Sequence, residues 1–213
     1  NKLNDTIAAL ATAPGRAGLA VVRVSGPLTK QIAKKILGYA PKHMAARYSS
    51  FKTPEGETVD SGTALFFNSP RSYTGEDVLE LTCHGGRAIV DHLLEVLFQL
   101  GARIAERGEF TKRAFLNDKL DLIQAEAVAD LIESTSRATA KAAQRSLDGA
   151  FSKELCLLSN ELTELRAKVE ASLGFPEEDL AETRHKKSLE SKVEATQQRL
   201  KLLLASTEKA CRI

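Results

Sequence analysis

The sequence predicts an α+β domain followed by an all-α, helical-bundle segment. Three observations carry that prediction. Eleven of the 13 glycines and five of the six prolines precede residue 118. These residues punctuate strands and turns and are kept out of helix interiors. Up to that point, short β-prone runs mix with helical stretches without a strict βαβ rhythm, which favours an α+β layer over a doubly wound sheet. Beyond it, apolar residues recur at about 3.6 over long stretches. The domains are therefore placed at 1–118 and 119–213. A chain of 213 residues, 43% hydrophobic and 27% charged, has enough apolar material to bury a core.

In order along the chain, Thr6–Thr12 and Leu19–Val24 read as strands around the loop Ala13-Pro14-Gly15-Arg16-Ala17-Gly18. Thr29 to Leu37 reads as an amphipathic helix with Ile32, Ala33, Ile36 and Leu37 on one face and Gly38 as its C-cap. Tyr48–Lys52 and Thr58–Phe67 flank Pro54-Glu55-Gly56-Glu57 as a hairpin. Val78–Cys83 is a further strand. Ala88 to Leu100 is a helix ended by Gly101, and Ala102–Glu106 is a short strand. Asn117 or Asp118 is expected to cap the next helix, whose stripe runs through Leu122, Ala125, Val128 or Ala129, and Ile132 and on to about Leu147. Gly149 breaks or bends it. A second helix follows through Leu155, Leu158, Leu162, Leu165, Val169 and Leu173. Gly174-Phe175-Pro176 stops it, Glu177-Glu178-Asp179 suits a turn or a helix start, and a third helix runs through Leu189, Val193, Thr196, Leu200 and Leu203.

Charge and cysteine content narrow the function classes. Thirty basic against 28 acidic side chains give +2, too little to grip nucleic acid by charge alone. The balance is +3 before the boundary and −1 after it. No run of 18 apolar residues reads as a membrane span, and the N-terminal residues lack the apolar stretch of a secretory signal. Cys83, Cys156 and Cys211 are odd in number and far apart, so they suggest neither disulfides nor a zinc site, and a reducing, cytoplasmic setting is expected. The four histidines are too scattered for a metal motif. No GxxxxGK[ST] and no GxGxxG after a strand occurs.

Three clusters could carry chemistry. Cys83-His84-Gly85-Gly86 suggests a nucleophile beside a base, but neighbours on a strand point to opposite faces. A buried Cys and a turn His is the preferred reading, and Gly-Gly before a helix is only a weak anion signal. Glu80 shares a strand face with Val78 and Thr82. It is either solvated or, if buried, needs a partner. A pterin-like heterocycle with adjacent N–H donors would suit such a carboxylate. Gly108 to Lys119 is dense in charged, aromatic and amide groups at the domain junction, where ligand sites are favoured. The plainer reading is a structured linker whose Phe110 and Phe115 plug the core. Lys112 and Arg113 form a basic loop that could touch RNA, although a charged linker is the commoner explanation.

Several ordered stretches together resemble one family. They are Asn4-Asp5-Thr6-Ile7, Ala13-Pro14-Gly15-Arg16 through Arg23-Val24-Ser25-Gly26, Tyr73-Thr74-Gly75-Glu76-Asp77-Val78-Leu79-Glu80, and His84-Gly85-Gly86. Gly108-Glu109-Phe110-Thr111 through Asn117, Lys119-Leu120-Asp121-Leu122 to Ala127, and Phe175-Pro176-Glu177-Glu178 complete the set. They look like the N-terminal and first helical parts of the MnmE (TrmE) family of tRNA modification GTPases. The resemblance implies an N-terminal domain like the folate-binding fold of aminomethyltransferases, which dimerises and binds 5-formyl-tetrahydrofolate. It implies folate contacts at Arg23, Glu80 and Lys119, without assigning either cation to a ligand atom. It further implies action on the tRNA wobble uridine, giving carboxymethylaminomethyl-type groups, with a flavin-dependent partner protein.

The chain ends at Ala210-Cys211-Arg212-Ile213, about where the resemblance puts the GTPase insert. It is expected to be a fragment without the P-loop or the closing Cys-x-Gly-Lys motif, which Cys211 does not match. GTP, Mg and K are then expected only in the GTPase domain, and this chain alone is expected to be inactive, with no catalytic residue. Two rivals stand beside this reading: a self-contained folate-dependent one-carbon transferase, and a non-catalytic dimerisation module with Arg23, Glu80 and Lys119 solvated.

Overall fold

The computed structural model describes residues 5–174 and 179–211, which divide into two compact units, Asn1–Leu120 and Asp121–Ile213. The expected break at Phe175-Pro176 and the acidic turn at Glu177-Glu178 lie outside the described residues.

The first unit is a six-stranded mixed sheet with its first two helices packed on one face. Its elements are β1 (Ile7–Leu10), β2 (Ala17–Ser25), α1 (Thr29–Leu37), β3 (Arg47–Lys52), β4 (Thr58–Phe67), β5 (Val78–Gly85), α2 (Arg87–Gln99), β6 (Arg103–Ile104) and α3 (Glu109–Leu116). The strand order is β3-β4-β5-β2-β1-β6, antiparallel except for β1 with β6. Alternation along the strands sorts the side chains. Val22 and Val24 of β2, Leu79 and Leu81 of β5 and Phe66 of β4 are fully buried, in one cluster with Ile32 and Ile36 of α1 and Leu93 and Leu97 of α2. Each such aliphatic side chain contributes about 1.5–3 kcal/mol by leaving water. The intervening residues, Val21 and Arg23 on β2 and Glu80 and Thr82 on β5, take the other face, with Val21 paired to Thr82 and Arg23 to Glu80. Helix α1 forms over the residues its spacing predicts, and Gly38 ends it at φ 75°, its N–H donating to Lys34 O at 3.1 Å.

Residues 109–116, expected as a structured linker, form helix α3. The chain leaves it through Asp118 at φ 55°, a conformation that Asp tolerates better than most residues. Asn117, Asp118 and Lys119 donate backwards to the last-turn carbonyls, Lys119 N to Ala114 O at 2.8 Å. This left-handed exit means that neither Asn117 nor Asp118 caps the next helix.

In the second unit the cap is Asp121, which forms a reciprocal capping box with Gln124 at the start of α4 (Leu122–Glu133). The single helix expected to about Leu147 is two. Ser136 caps a fresh start with Thr139, giving α5 (Arg137–Leu147), because a Ser that bonds its own local backbone competes with helix continuation. The buried side of α4 carries Ala127, while Leu122 and Ile132, on the predicted stripe, are exposed. An Ala-rich helix with apolar residues around much of its circumference offers two stripes, and packing against α5 selects one. Gly149, at φ 78°, separates α5 from α6 (Ala150–Gly174). Leu158 and Leu165 of α6 and Thr196 of α7 (Asp179–Cys211) are buried, and Arg199 of α7 pairs with Glu154 and Glu161 of α6. Val193 and Leu200, on the near-heptad stripe, are exposed.

Candidate ligand cleft on the open sheet face

The direct pairing of Arg23 with Glu80 across β2 and β5 sets their side chains together. Arg23 Nε donates to Glu80 Oε1 at 2.8 Å, and Nη2 lies 2.7 Å from the same oxygen. Both side chains are about one-quarter exposed, so the pair is half-shielded rather than loose in solvent. Glu80 is therefore not simply solvated. Both donors converge on Oε1, and Oε2 receives no hydrogen bond among the described residues. The guanidinium also lies over two rings, 5.2 Å from the centroid of Tyr73 and 5.5 Å from that of Phe110. An Arg held by a carboxylate and two π-faces loses little freedom when a ligand arrives.

Glu80 and Lys119 line one cleft of about 350 Å³, with Tyr73, Arg71, Phe67 and Met44 among its walls. Arg23 sits behind Glu80 through the ion pair. Lys119 reaches this wall because of the turn after α3 and because residue 75 is glycine. Gly75 has φ 78°, and a Cβ there would lie 3.0 Å from Asn117 Cβ and 3.2 Å from Lys119 Cγ. Asn117 Nδ2 donates to Thr74 O at 2.7 Å, pinning the loop before β5 to the end of α3. The cleft thus offers one carboxylate, exposed cations and an apolar wall. That set suits a flat heterocycle with N–H donors at one end and anionic groups at the other.

A buried charge network supports this wall. The Arg113 side chain is only 1% exposed, so the expectation of an RNA-facing basic loop at Lys112 and Arg113 fails for Arg113. It is held inside by Asp5, Glu76 and Glu109, while Lys112 is exposed. Arg103 bonds Asp5 and Glu109 from the other side. The Arg103 hydrogen bonds hold the Glu109 carboxyl down at about 2, overriding its burial. Burial would raise the Asp5 carboxyl, but bonds from Arg103 and Arg113 outweigh it and hold it below the ordinary range. Burial likewise opposes the charge on Arg113, and its bonds to Asp5 and Glu109 prevail.

Cys83 and His84 point apart, as alternation requires. Cys83 is buried, and burial followed by the nearby Asp60 charge pushes its thiol up, which disfavours a thiolate nucleophile. His84 is exposed and bonds Asp60 through Nδ1 at 2.9 Å and through its backbone N–H at 2.8 Å. Among the described residues no group of His, Cys, Asp and Glu is arranged to hold a metal, and no helix is long and apolar enough to cross a membrane. Sequence reasoning missed Tyr73, Phe110, Glu76 and Arg113 as parts of the site. For Phe110 and Arg113 the signal was the density of aromatic and charged residues between 108 and 119, and for Tyr73 and Glu76 it was their place in the stretch Tyr73–Glu80 that carries the resemblance.

Residues 6–119 match the family described as GTP-binding protein TrmE N-terminus, and residues 122–213 match the MnmE helical domain. The chain belongs to the MnmE (TrmE) family. Its MnmE relatives include the tRNA modification GTPase MnmE of Hydrogenovibrio crunogenus, 56% identical over 177 residues, and that of Marinobacter nauticus, 55% identical over 176 residues. The matches cover 83% of this chain and 39% of either relative. The MnmE protein of a Neisseria meningitidis strain is 55% identical over 82% of this chain. The chain thus spans about two-fifths of the length of the MnmE proteins it matches.

Proposed function

We propose that this chain is the folate-binding, dimerising N-terminal region of a tRNA modification GTPase, with Arg23, Glu80 and Lys119 as its ligand contacts. The observation that supports this best is the convergence of Glu80 and Lys119 on one cleft, with Arg23 paired behind them. Residues named from a family resemblance and separated by up to 96 positions in sequence form one polar edge. The residues fit a reduced folate. Glu80 Oε2 remains to accept from a pterin N–H, the Tyr73 and Phe67 side provides an apolar wall, and exposed Lys119 suits a carboxylate. When bound, 5-formyl-tetrahydrofolate would supply a one-carbon unit. This chain's own residues bind and orient it, with no step of chemistry assigned to them.

In the intact protein, GTP with Mg and K, the flavin-dependent partner, the tRNA and the wobble-uridine reaction would belong to assemblies that include segments beyond this chain. The domain boundary belongs to the same proposal, with the ligand-binding part ending near residue 118 and the helical part following. Equilibrium dialysis against 5-formyl-tetrahydrofolate tests the site. The parent chain should saturate, and Glu80→Ala should bind at least about tenfold more weakly, since a charge-assisted bond to a desolvated partner is lost. A folded Glu80→Ala variant that binds as tightly as the parent would remove Glu80 from the site.

A further inference from the structure

We propose that Arg113 is a positioning residue for Arg23, acting through Glu76. This rests on the reading of the Arg23–Glu80 edge as a ligand site. Two segments supply the rings that flank the Arg23 guanidinium: the loop before β5 supplies Tyr73, and α3 supplies Phe110. Three ties join those segments. Tyr73 Oη and Thr111 Oγ1 are 2.8 Å apart, and Asn117 Nδ2 donates to Thr74 O at 2.7 Å. The third tie is charged. Arg113, one turn beyond Phe110 on α3, donates through Nη1 to both oxygens of Glu76 at 3.1 and 3.2 Å. Charge-assisted bonds are roughly twice as strong as neutral ones, so this tie dominates the clasp.

Glu76 passes the constraint to the sheet. Its Oε2 accepts from Ser25 Oγ at 2.6 Å, and Ser25 also contacts Thr74 Oγ1 at 2.7 Å. Ser25 lies two residues beyond Arg23 on β2, on the same face. Arg113 is itself fixed by Asp5, whose backbone oxygen accepts at 2.8 Å, and by Glu109 at 3.1 Å. The loop carrying Tyr73 and the helix carrying Phe110 therefore meet at one buried guanidinium, and Glu76 ties both to the strand carrying Arg23 through Ser25. A clasp of this kind holds the Arg23 donors on Glu80 Oε1 and leaves Oε2 to the ligand.

A merely stabilising role would make every variant of the network lose affinity in step with stability. Arg103 separates the two readings, because it shares Glu109 Oε1 and Asp5 Oδ1 with Arg113 but among the described residues makes no hydrogen bond to Glu76. The test follows the Arg23 Nε–H by nitrogen-resolved NMR in the full chain, together with 5-formyl-tetrahydrofolate affinity and thermal midpoint. Glu76→Gln, which keeps the shape and the Ser25 contact, and Arg113→Lys should each speed exchange of that proton about tenfold. Each should also raise Kd about tenfold, as expected for one misaligned charge-assisted bond. Arg103→Gln should lower the midpoint while shifting both readouts less than those variants do, because Arg113 keeps its own bonds to Glu76. Unchanged Arg23 exchange in a folded Glu76→Gln chain, or an equal change in Arg103→Gln, overturns the proposal. Faster exchange in Glu76→Gln with no folate binding by the parent supports the clasp and sinks the ligand reading instead.

Discussion

Glu109 is where a single side chain is most exposed to pH. Its carboxyl is held at about 2 against an ordinary 4.5, chiefly by the Arg103 hydrogen bonds. A depressed carboxyl pKa stabilises the fold above the unfolded value, and the gain is lost as pH falls through the folded one. The stabilisation is therefore complete above about pH 4.5 and disappears towards pH 2. The shift corresponds to something on the order of 3 kcal/mol at a largely buried group. Urea midpoints between pH 2 and 6 should show a steep fall below pH 4.5 in the parent and a flatter profile in Glu109→Gln. Parallel profiles would mean that the carboxyl is not perturbed by its arginines. The same network shows what the residue scale concealed in the sequence. Arg113 reads there as one more exposed cation beside Lys112, because its partners Asp5 and Glu76 stand 108 and 37 positions away. Burial of a charge depends on partners that local pattern does not contain.

Among the elements, α1, α2 and the β3–β4 hairpin were legible, because helical spacing and the turn at Pro54-Glu55-Gly56-Glu57 each point to one structure. Helix α3 was not, since eight residues dominated by charge and two aromatics carry too little periodicity to distinguish a helix from a linker. The break between α4 and α5 falls at Ser134-Thr135-Ser136, weak helix formers suited to a cap, but no Gly or Pro marks it and the apolar spacing runs on through it, so the stripe hid it. Strand β4 yields a sharp test. Gly62 packs so closely on β5 that a Cβ would collide with the Thr82 carbonyl oxygen, whereas a Cβ at Gly18 of β2 would meet nothing within 4 Å. Gly62→Ala should destabilise the first unit by on the order of 3 kcal/mol, as overpacking against backbone does, and Gly18→Ala should change little. The two denaturation curves decide it, and similar midpoints would show that β4 and β5 separate at little cost.

Taken as a whole molecule, the chain holds two compact units, and the candidate site lies in the first, among residues 23 to 119. Its three named contacts were legible as a set only through the ordered motifs that identify the family. Composition and pattern offered Glu80 as a carboxylate in an apolar strand, its solvation left open, and Lys119 only as the end of the dense cluster Gly108 to Lys119. What the three-dimensional arrangement adds is their convergence: an ion pair between facing positions of β2 and β5, and a lysine brought to the same cleft by a left-handed turn and a glycine. The folate proposal makes that convergence functional, and the dimer proposal adds a stoichiometry. The most direct measurement is a calorimetric titration of the full chain with 5-formyl-tetrahydrofolate, with its mass in solution determined in the same buffer. The account predicts saturable binding, one ligand per chain, by a dimer. A folded chain that releases no binding heat at any accessible concentration, and shows no retention of the ligand by dialysis, would contradict it.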